Sequence, residues 1–122
     1  MEAQNTVMSL IEAFNANDLE RIIGHFSDLA VYHNIPTDPV QGPQAIREVL
    51  NGFLGMSSEV DWQVRNIVAN DEGVVLTERN DRFHVNGKWL ELPVMGVFEV
   101  VDGKITAWRD YFDMNQFTSQ LG

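Results

Sequence analysis

Residues 74–101 read VVLTERNDRFHVNGKWLELPVMGVFEVV. Apolar and polar residues alternate along this stretch on both sides of Asn86-Gly87. Alternation with a period of two is typical of a β-strand, and Asn-Gly is the strongest short signal for a hairpin turn. We therefore predict a strand from Val74 to Val85 and a return strand from Trp89 to Val101, which together form the centre of an antiparallel sheet.

The sheet is predicted to continue on the C-terminal side of this hairpin. Asp102-Gly103 is a second hairpin signal and leads into a strand from Ile105 to Phe112. After this strand, Asp113-x-x-Gln116 is a variant of the capping box. It predicts a last helical turn that carries Phe117.

The sheet is also predicted to extend on the N-terminal side of the hairpin, from residue 59. Here the apolar residues that alternate with polar ones are Val60, Trp62 and Val64. The parity slips before Ile67, which predicts a β-bulge. A turn from Asn70 to Gly73 joins this strand to the hairpin.

Helical spacing of apolar residues dominates the chain before residue 56. A first helix is predicted from the spacing of Val7, Leu10, Ile11 and Phe14. Asn17-Asp18 is predicted to cap a short second helix that carries Leu19, Ile22, Ile23 and Phe26. An extended segment follows from Ala30 to Asn34. A third helix is predicted to open at Gly42-Pro43 and to stop at Gly55, with an apolar stripe of Ile46, Val49, Leu50, Phe53 and Leu54.

The order of these elements predicts the fold class. Helices come first and an antiparallel meander follows, which is typical of an α+β fold with the helices on one face of a curved sheet. The chain has 122 residues, a length that fits one domain over residues 1–122.

Composition excludes several classes of function. The net charge is −10, so the chain repels nucleic-acid backbones and anionic lipid surfaces, and we expect neither nucleic acid nor membrane as a partner. It contains no cysteine, which removes disulfides, thiolate metal sites and cysteine nucleophiles. The residues after Met1 show no basic and apolar signal segment, and we expect a cytoplasmic location.

The alternation of side chains along the predicted strands places several polar residues on inward faces. Side chains alternate across a strand, so Arg79 and Asp81 share one face with the apolar residues Val75, Phe83 and Val85. In the last predicted strand, the residues that share one face are Trp108, Asp110 and Phe112. The extended segment places Tyr32 and Asn34 together. These faces predict that a guanidinium, two carboxylates, a phenol and an amide converge in an apolar cavity.

Each of these signals has a simpler interpretation when taken alone. Arg79 and Asp81 fit a structural ion pair, and Asn34 before a proline turn fits a bond to its own backbone. Two inward carboxylates with an arginine are nevertheless costly to bury unless they are paired or used, which favours a functional site. The three histidines lack the spacing of metal ligands, so we expect no metal site.

At these residues the sequence resembles the limonene-1,2-epoxide hydrolase family, within the group that shares the nuclear-transport-factor-2-like fold. The resemblance runs from about Val7 to Phe117. It is strongest in Tyr32-His33-Asn34-Ile35-Pro36, in Glu78-Arg79-Asn80-Asp81, and in Gly96-Val97-Phe98 with the segment from Gly103 to Asp113. It implies helices packed in the concave face of a strongly curved, mostly antiparallel mixed sheet.

The resemblance also implies a cofactor-free, one-step addition of water to a small or medium apolar epoxide, which gives a vicinal diol. Asp110 would be the base on the water and Asp81 the acid on the epoxide oxygen. Tyr32 and Asn34 would hold the water, and Arg79 would bridge the two carboxylates. A homodimer built on the outer face of the sheet is implied as well.

An apolar substrate wall is predicted from Phe83, Leu92, Val94, Phe112 and Phe117, each of which fits ordinary core equally well. Two other functions stay open at this point. An isomerase or polyketide-type cyclase on the same fold would use an inward carboxylate as a base on carbon. A non-catalytic binding or dimerisation module would need Arg79, Asp81 and Asp110 only as structural residues.

Overall fold

The computed structural model describes residues 2–121. Its helices are α1 (Glu2–Asn15), α2 (Leu19–Ile23), α3 (Pro43–Leu54) and α4 (Met114–Leu121). Its strands are β1 (Phe26–Asn34), β2 (Val40–Gln41), β3 (Glu59–Ala69), β4 (Val74–Val85), β5 (Lys88–Val101) and β6 (Lys104–Tyr111). The α+β class predicted from the order of elements is confirmed.

The strands form one mixed sheet in the order β2-β1-β6-β5-β4-β3. All neighbours are antiparallel except β1 and β6, which run parallel. The predicted hairpin is confirmed, with Val85 opposite Lys88 and with φ of 50° at Asn86 and 80° at Gly87. The register of β3 against β4 shifts between Val64 and Asn66, where the bulge was expected.

The prediction for Phe26 is wrong. Asp18 does cap α2, because its side chain accepts a hydrogen bond from the Arg21 N–H, but the helix ends at Ile23. Phe26 instead opens β1 and lies opposite Ile105 of β6. Because of this pairing, β1 starts four residues before the predicted segment from Ala30. The spacing of apolar residues is a local pattern and gives no information about pairing with β6, which is far away in the sequence.

Other boundaries differ by smaller amounts. The sequence did not predict β2, a two-residue strand held by antiparallel pairing with β1. β5 and β6 each start one residue early, and Phe112 falls just outside β6. The predicted last turn is the eight-residue helix α4, and Asp113 caps it by accepting from the Asn115 N–H at 2.9 Å.

The core lies between the helices and one face of the sheet. The residues that α1 and α3 bury there are Val7, Leu10, Ile11, Ala13, Phe14, Ile46, Leu50 and Leu54. Trp108 of β6 is fully buried and stacks with Tyr32 at 4.4 Å and Phe98 at 5.1 Å between ring centroids. No helix in the described part of the chain is long and apolar enough to cross a membrane.

Candidate active site

Arg79 of β4 is the centre of a buried polar cluster and is 1% exposed. Its Nε and Nη2 donate to the two carboxylate oxygens of Asp81 at 3.0 and 2.8 Å. Its Nη1 and Nη2 donate to the two oxygens of Asp110 at 3.2 and 2.8 Å. Nη1 also donates to the Thr77 hydroxyl at 3.0 Å. A guanidinium has five N–H donors in a fixed plane, so these five bonds leave it no free donor and no freedom to turn.

The elements of the sheet explain how these groups meet. Thr77, Arg79 and Asp81 follow one another at every second position of β4, so all three point to the helix-covered face. Asp110 comes from β6, and β5 lies between these two strands. The residue of β5 that separates Thr77 from Asp110 is Gly96, which is paired with both. The absence of a side chain at this position lets Arg79 reach across β5.

Asp110 has a further donor. The Trp108 indole Nε1 donates to its Oδ1 at 2.7 Å. Asp110 is 3% exposed, and Asp81 is also 3% exposed. Two carboxylates and one guanidinium are therefore withdrawn from water as a single hydrogen-bonded unit, which is tolerated because each oxygen accepts at least one charge-assisted bond.

The parallel pairing of β1 with β6 brings two more predicted residues to the same place. Tyr32 lies opposite Trp108 and Asn34 lies opposite Asp110. The Ile35 N–H donates to the Asp110 backbone carbonyl at 2.9 Å, which fixes the end of β1 against this strand. Tyr32 is buried, and Asn34 is half-buried.

A cavity of about 180 Å³ lies over this cluster. Four of the predicted polar residues line it, namely Tyr32, Asn34, Asp81 and Asp110, and Arg79 is bonded to both aspartates. The apolar lining contains all five predicted wall residues, Phe83, Leu92, Val94, Phe112 and Phe117, together with Phe53, Trp62 and Met114. The cavity is thus polar at one end and apolar elsewhere.

The buried cluster shifts the ionisation of Asp81, Tyr32 and Arg79. Burial raises the pKa of Asp81 to about 6, although the Arg79 charge and its hydrogen bonds act in the opposite direction. Burial, and then the Asp110 charge, raise the pKa of Tyr32 above its usual value, so its phenol stays protonated. Burial acts to lower the pKa of Arg79, but the two aspartates outweigh it and raise the net value.

Trp62 of β3 covers the cluster from the side of the edge strand. Its ring stacks on Phe14 of α1 at 3.9 Å and lies under the Arg79 guanidinium at 4.8 Å. Trp62 is 4% exposed, and its indole Nε1 is a buried donor without a hydrogen-bond partner among residues 2–121. The indole therefore contributes a cation–π contact to the cluster rather than a hydrogen bond.

The sequence reasoning did not assign Thr77, Gly96 and Trp108 to the site, nor Phe53 and Met114 to the cavity. Thr77 precedes Arg79 by two residues and Trp108 precedes Asp110 by two, so the alternation of side chains along a strand places each pair on one face. The role of Gly96 depends on the register between β5 and both its neighbours. Phe53 and Met114 lie on helices whose packing the strand pattern does not describe.

The fold and the site together define a class of protein. In residues 2–121, four helices on a six-stranded mixed sheet form a nuclear-transport-factor-2-like fold, with a buried acid–arginine–acid cluster under its cavity. The chain belongs to the limonene-1,2-epoxide hydrolase family, because the family model for the limonene-1,2-epoxide hydrolase catalytic domain matches residues 1–122.

Individual relatives agree with this placement. Epoxide hydrolase EphG of Mycobacterium tuberculosis is 32% identical over 109 residues, which cover 88% of this chain and 71% of that protein. The structure of an M. tuberculosis LEH-like epoxide hydrolase superposes with a TM-score of 0.84 at 31% identity and covers 98% of this chain and 89% of that one.

A more distant structure shows the fold alone. It is a protein with a ketosteroid isomerase-like fold from Catenulispora acidiphila, which is 15% identical and superposes with a TM-score of 0.83. The match covers 94% of this chain and 90% of that chain. Because one fold can host many unrelated activities, the activity has to be argued from the site.

Proposed function

We propose that this chain is an epoxide hydrolase that adds water to a small or medium apolar epoxide and releases a vicinal diol, without a cofactor. The observation that carries the proposal is the Arg79 guanidinium, bonded to both Asp81 and Asp110 at the polar end of an apolar cavity. Opening an epoxide with water requires one proton to leave the water and another to reach the ring oxygen in the same step.

In the proposed step, Asp110 accepts a proton from a water molecule as the water oxygen forms a bond to one ring carbon. The bond from that carbon to the epoxide oxygen breaks, and Asp81 donates its proton to the departing oxygen. The product is a neutral diol, with a proton on Asp110 and a negative charge on Asp81. Transfer of one proton from Asp110 to Asp81, directly or through solvent, restores the starting state.

The environment supports these roles for the two aspartates. The raised pKa of Asp81 favours the protonated form that an acid needs near neutral pH. Asp110 accepts three N–H bonds, two from Arg79 and one from Trp108, and these hold its carboxylate in place for the role of the base. Tyr32 stays a neutral donor, and Asn34 beside Asp110 adds an amide, so both are suited to hold the attacking water.

The cavity supports a small apolar substrate. Apart from Tyr32, Asn34 and the two aspartates, its eight lining residues are apolar, and the charged groups lie at one end only. A cavity of about 150 Å³ accommodates a benzene-sized molecule, so about 180 Å³ suits a monocyclic epoxide.

A single-turnover experiment in ¹⁸O-labelled water tests the proposal. With enzyme in excess over cyclohexene oxide, we expect labelled diol in the first turnover, because water attacks the ring directly. Unlabelled first-turnover diol would show a carboxylate nucleophile and contradict the acid/base step. Absence of diol from a panel of epoxides, with turnover of an enone, would reassign the chain to the isomerases.

The Asp110→Asn variant tests the assigned base. We expect its turnover to fall by about 10²–10⁴-fold or more, since an amide cannot accept the proton from water. Asp28→Asn is the matched control, because Asp28 is exposed on β1 and the chemical change is the same. Wild-type turnover by Asp110→Asn would remove Asp110 from the mechanism.

We also propose a homodimer formed through the outer face of the sheet. This face exposes large apolar side chains at Val68, Leu76, Met95 and Tyr111. They are neighbours across the strands, since Val68 lies opposite Leu76 and Met95 lies opposite Tyr111. Exposed apolar side chains that neighbour one another across several strands are typical of a covered interface.

A further inference from the structure

The central strand β5 has β6 beside it only along its second half. β4 pairs with β5 from Lys88 to Glu99, but β6 pairs with it only from Met95 onward. On the side of β5 that faces β6, the residues before Met95 therefore have no strand to bond with in the described sheet. Glu91 lies in this stretch, directly before the cavity residue Leu92.

The side chain of Gln120 occupies the place of the missing strand. The Glu91 N–H donates to Gln120 Oε1 at 2.9 Å, and Gln120 Nε2 donates to the Glu91 carbonyl at 2.8 Å. The N–H and C=O of one strand residue point to the same side, so a single side-chain amide satisfies both, as the C=O and N–H of one residue in a neighbouring strand would. Pro93 lies two residues further on this side and has no N–H to satisfy.

Gln120 is also part of α4, and this helix forms part of the cavity. Its residues Met114 and Phe117 line the cavity, and Phe117 packs edge-on against Phe83 at 6.3 Å. α4 has only eight residues and buries none of them fully, whereas a helix this short is not stable by itself. The position of α4 therefore depends on a small number of contacts, of which the paired bonds to Glu91 are the most specific.

We propose that Gln120 is a positioning residue that holds α4 over the cavity and thereby sets the affinity for an apolar substrate. This inference rests on the proposed function for its substrate class, but the contact itself does not depend on the reaction. Gln120 bonds to the β5 backbone and to the Gln116 carbonyl of its own helix at 2.7 Å. It has no bond to Arg79, Asp81 or Asp110, so it acts on binding and leaves the acid/base step unchanged.

The test compares Gln120→Met with wild type. Methionine keeps the length and the helix propensity of glutamine but removes both bonds to Glu91. Ser119→Ala is the matched control, because Ser119 is exposed on the same helix and bonds only within it, to the Gln116 carbonyl. Three quantities are measured: KM and kcat for cyclohexene oxide, the Kd of the unreactive ligand cyclohexanol, and the hydrogen exchange rate of the Glu91 N–H.

For Gln120→Met we expect a rise of about tenfold in KM and in the Kd of cyclohexanol, from the loss of two hydrogen bonds. The Glu91 N–H should exchange at least about tenfold faster. We expect kcat to change less than about threefold and the pH dependence of kcat/KM to stay the same, because the cluster around Arg79 is untouched. Ser119→Ala should match wild type in every measurement.

Two results would overturn the inference. An unchanged Kd for cyclohexanol would show that Gln120 does not set affinity, whatever the exchange rate of Glu91. A changed pH profile or a loss confined to kcat would show that Gln120 acts on the acid/base step instead. If wild type produces no diol but Gln120→Met still weakens cyclohexanol binding, the proposed reaction fails while the role of Gln120 stands.

Discussion

Replacement of Gly96 by alanine tests the packing of the candidate site with a single methyl group. An added Cβ would lie 2.4 Å from Arg79 Nη1, 2.7 Å from Asp110 Oδ1 and 2.9 Å from Thr77 Oγ1. The first of these distances is about 1 Å shorter than an ordinary contact. Gly96 has no positive φ, so the backbone accepts alanine, and the whole effect comes from the three side chains.

The structure allows the cost to be estimated. Arg79 cannot turn away, because its N–H groups are bonded to Thr77, Asp81 and Asp110 on both sides. Overpacking a buried site costs about 1–3 kcal/mol, and separating a buried ion pair costs about 3–5 kcal/mol. Since the shift separates Arg79 from Asp110 only in part, we expect a loss of about 3 kcal/mol in the free energy of unfolding. A displacement of about 1 Å at reacting groups lowers kcat/KM by about 10²-fold.

Urea unfolding followed by circular dichroism and steady-state turnover of cyclohexene oxide measure the two effects. Gly52→Ala is the matched control, because Gly52 lies inside α3 and an added Cβ there meets nothing within 4 Å. This control should be stabilised by about 0.5–1 kcal/mol, because alanine is the better helix former, with unchanged turnover. Wild-type stability and activity in Gly96→Ala would refute the close packing of the guanidinium against β5.

Further predictions concern ionisation, the edge of the sheet and the oligomer. We expect kcat/KM to fall tenfold per pH unit above about 6, since Asp81 must carry its proton; a flat profile from pH 5 to 9 would contradict this role. The same group holds its proton in the folded state at a pH where the unfolded chain has lost it. Its contribution to the free energy of unfolding should therefore decrease as pH rises from about 4 to about 6, measured as the difference in urea unfolding between wild type and Asp81→Asn. Asn15→Ala should lower the free energy of unfolding by about 1–3 kcal/mol. The Asn15 side-chain amide accepts from the backbone N–H of Trp62 at 2.6 Å and donates to the backbone carbonyl of Trp62 at 3.2 Å, and the variant loses both bonds. An unchanged urea midpoint would count against this contact. Met95→Glu should halve the mass found by analytical ultracentrifugation, because it places a charge in the proposed dimer interface. Met56 is also exposed but lies outside the sheet, so Met56→Glu should leave the mass unchanged. A monomeric wild-type protein would contradict the dimer.

The elements that sequence reasoning predicted well are those with local causes. The turn at Asn86-Gly87 and the alternation around it depend on neighbouring residues only, and β4 was predicted with the boundaries it has. Parity along β4 also placed Arg79 and Asp81 on the helix-covered side, where both are buried. Asn80 departs from this pattern, since it is 8% exposed on the opposite face and donates to Glu91 at 2.7 Å.

The features that the sequence did not predict depend on pairing between distant segments. The start of β1 at Phe26 follows from its parallel pairing with β6, which lies some eighty positions later in the chain. The contact between Gly96 and Arg79 requires the registers of three strands at once. The spacing of apolar residues in a helix likewise could not show the contacts of Gln120 and Asn15. Each of these side chains bonds to the backbone of a strand residue, Glu91 or Trp62, that has a neighbouring strand on one side only.

The difference between the two aspartates comes from what surrounds the shared guanidinium. Arg79 gives two N–H bonds to each carboxylate, so it does not distinguish them. Asp110 receives a third bond from Trp108, whereas Asp81 lies opposite Trp62 and Leu92 in the neighbouring strands. In these surroundings burial raises the pKa of Asp81, although the Arg79 charge acts in the opposite direction. Asp81 is thus the carboxyl suited to hold a proton, and in the proposed reaction the same arginine places this acid beside Asp110, the proposed base.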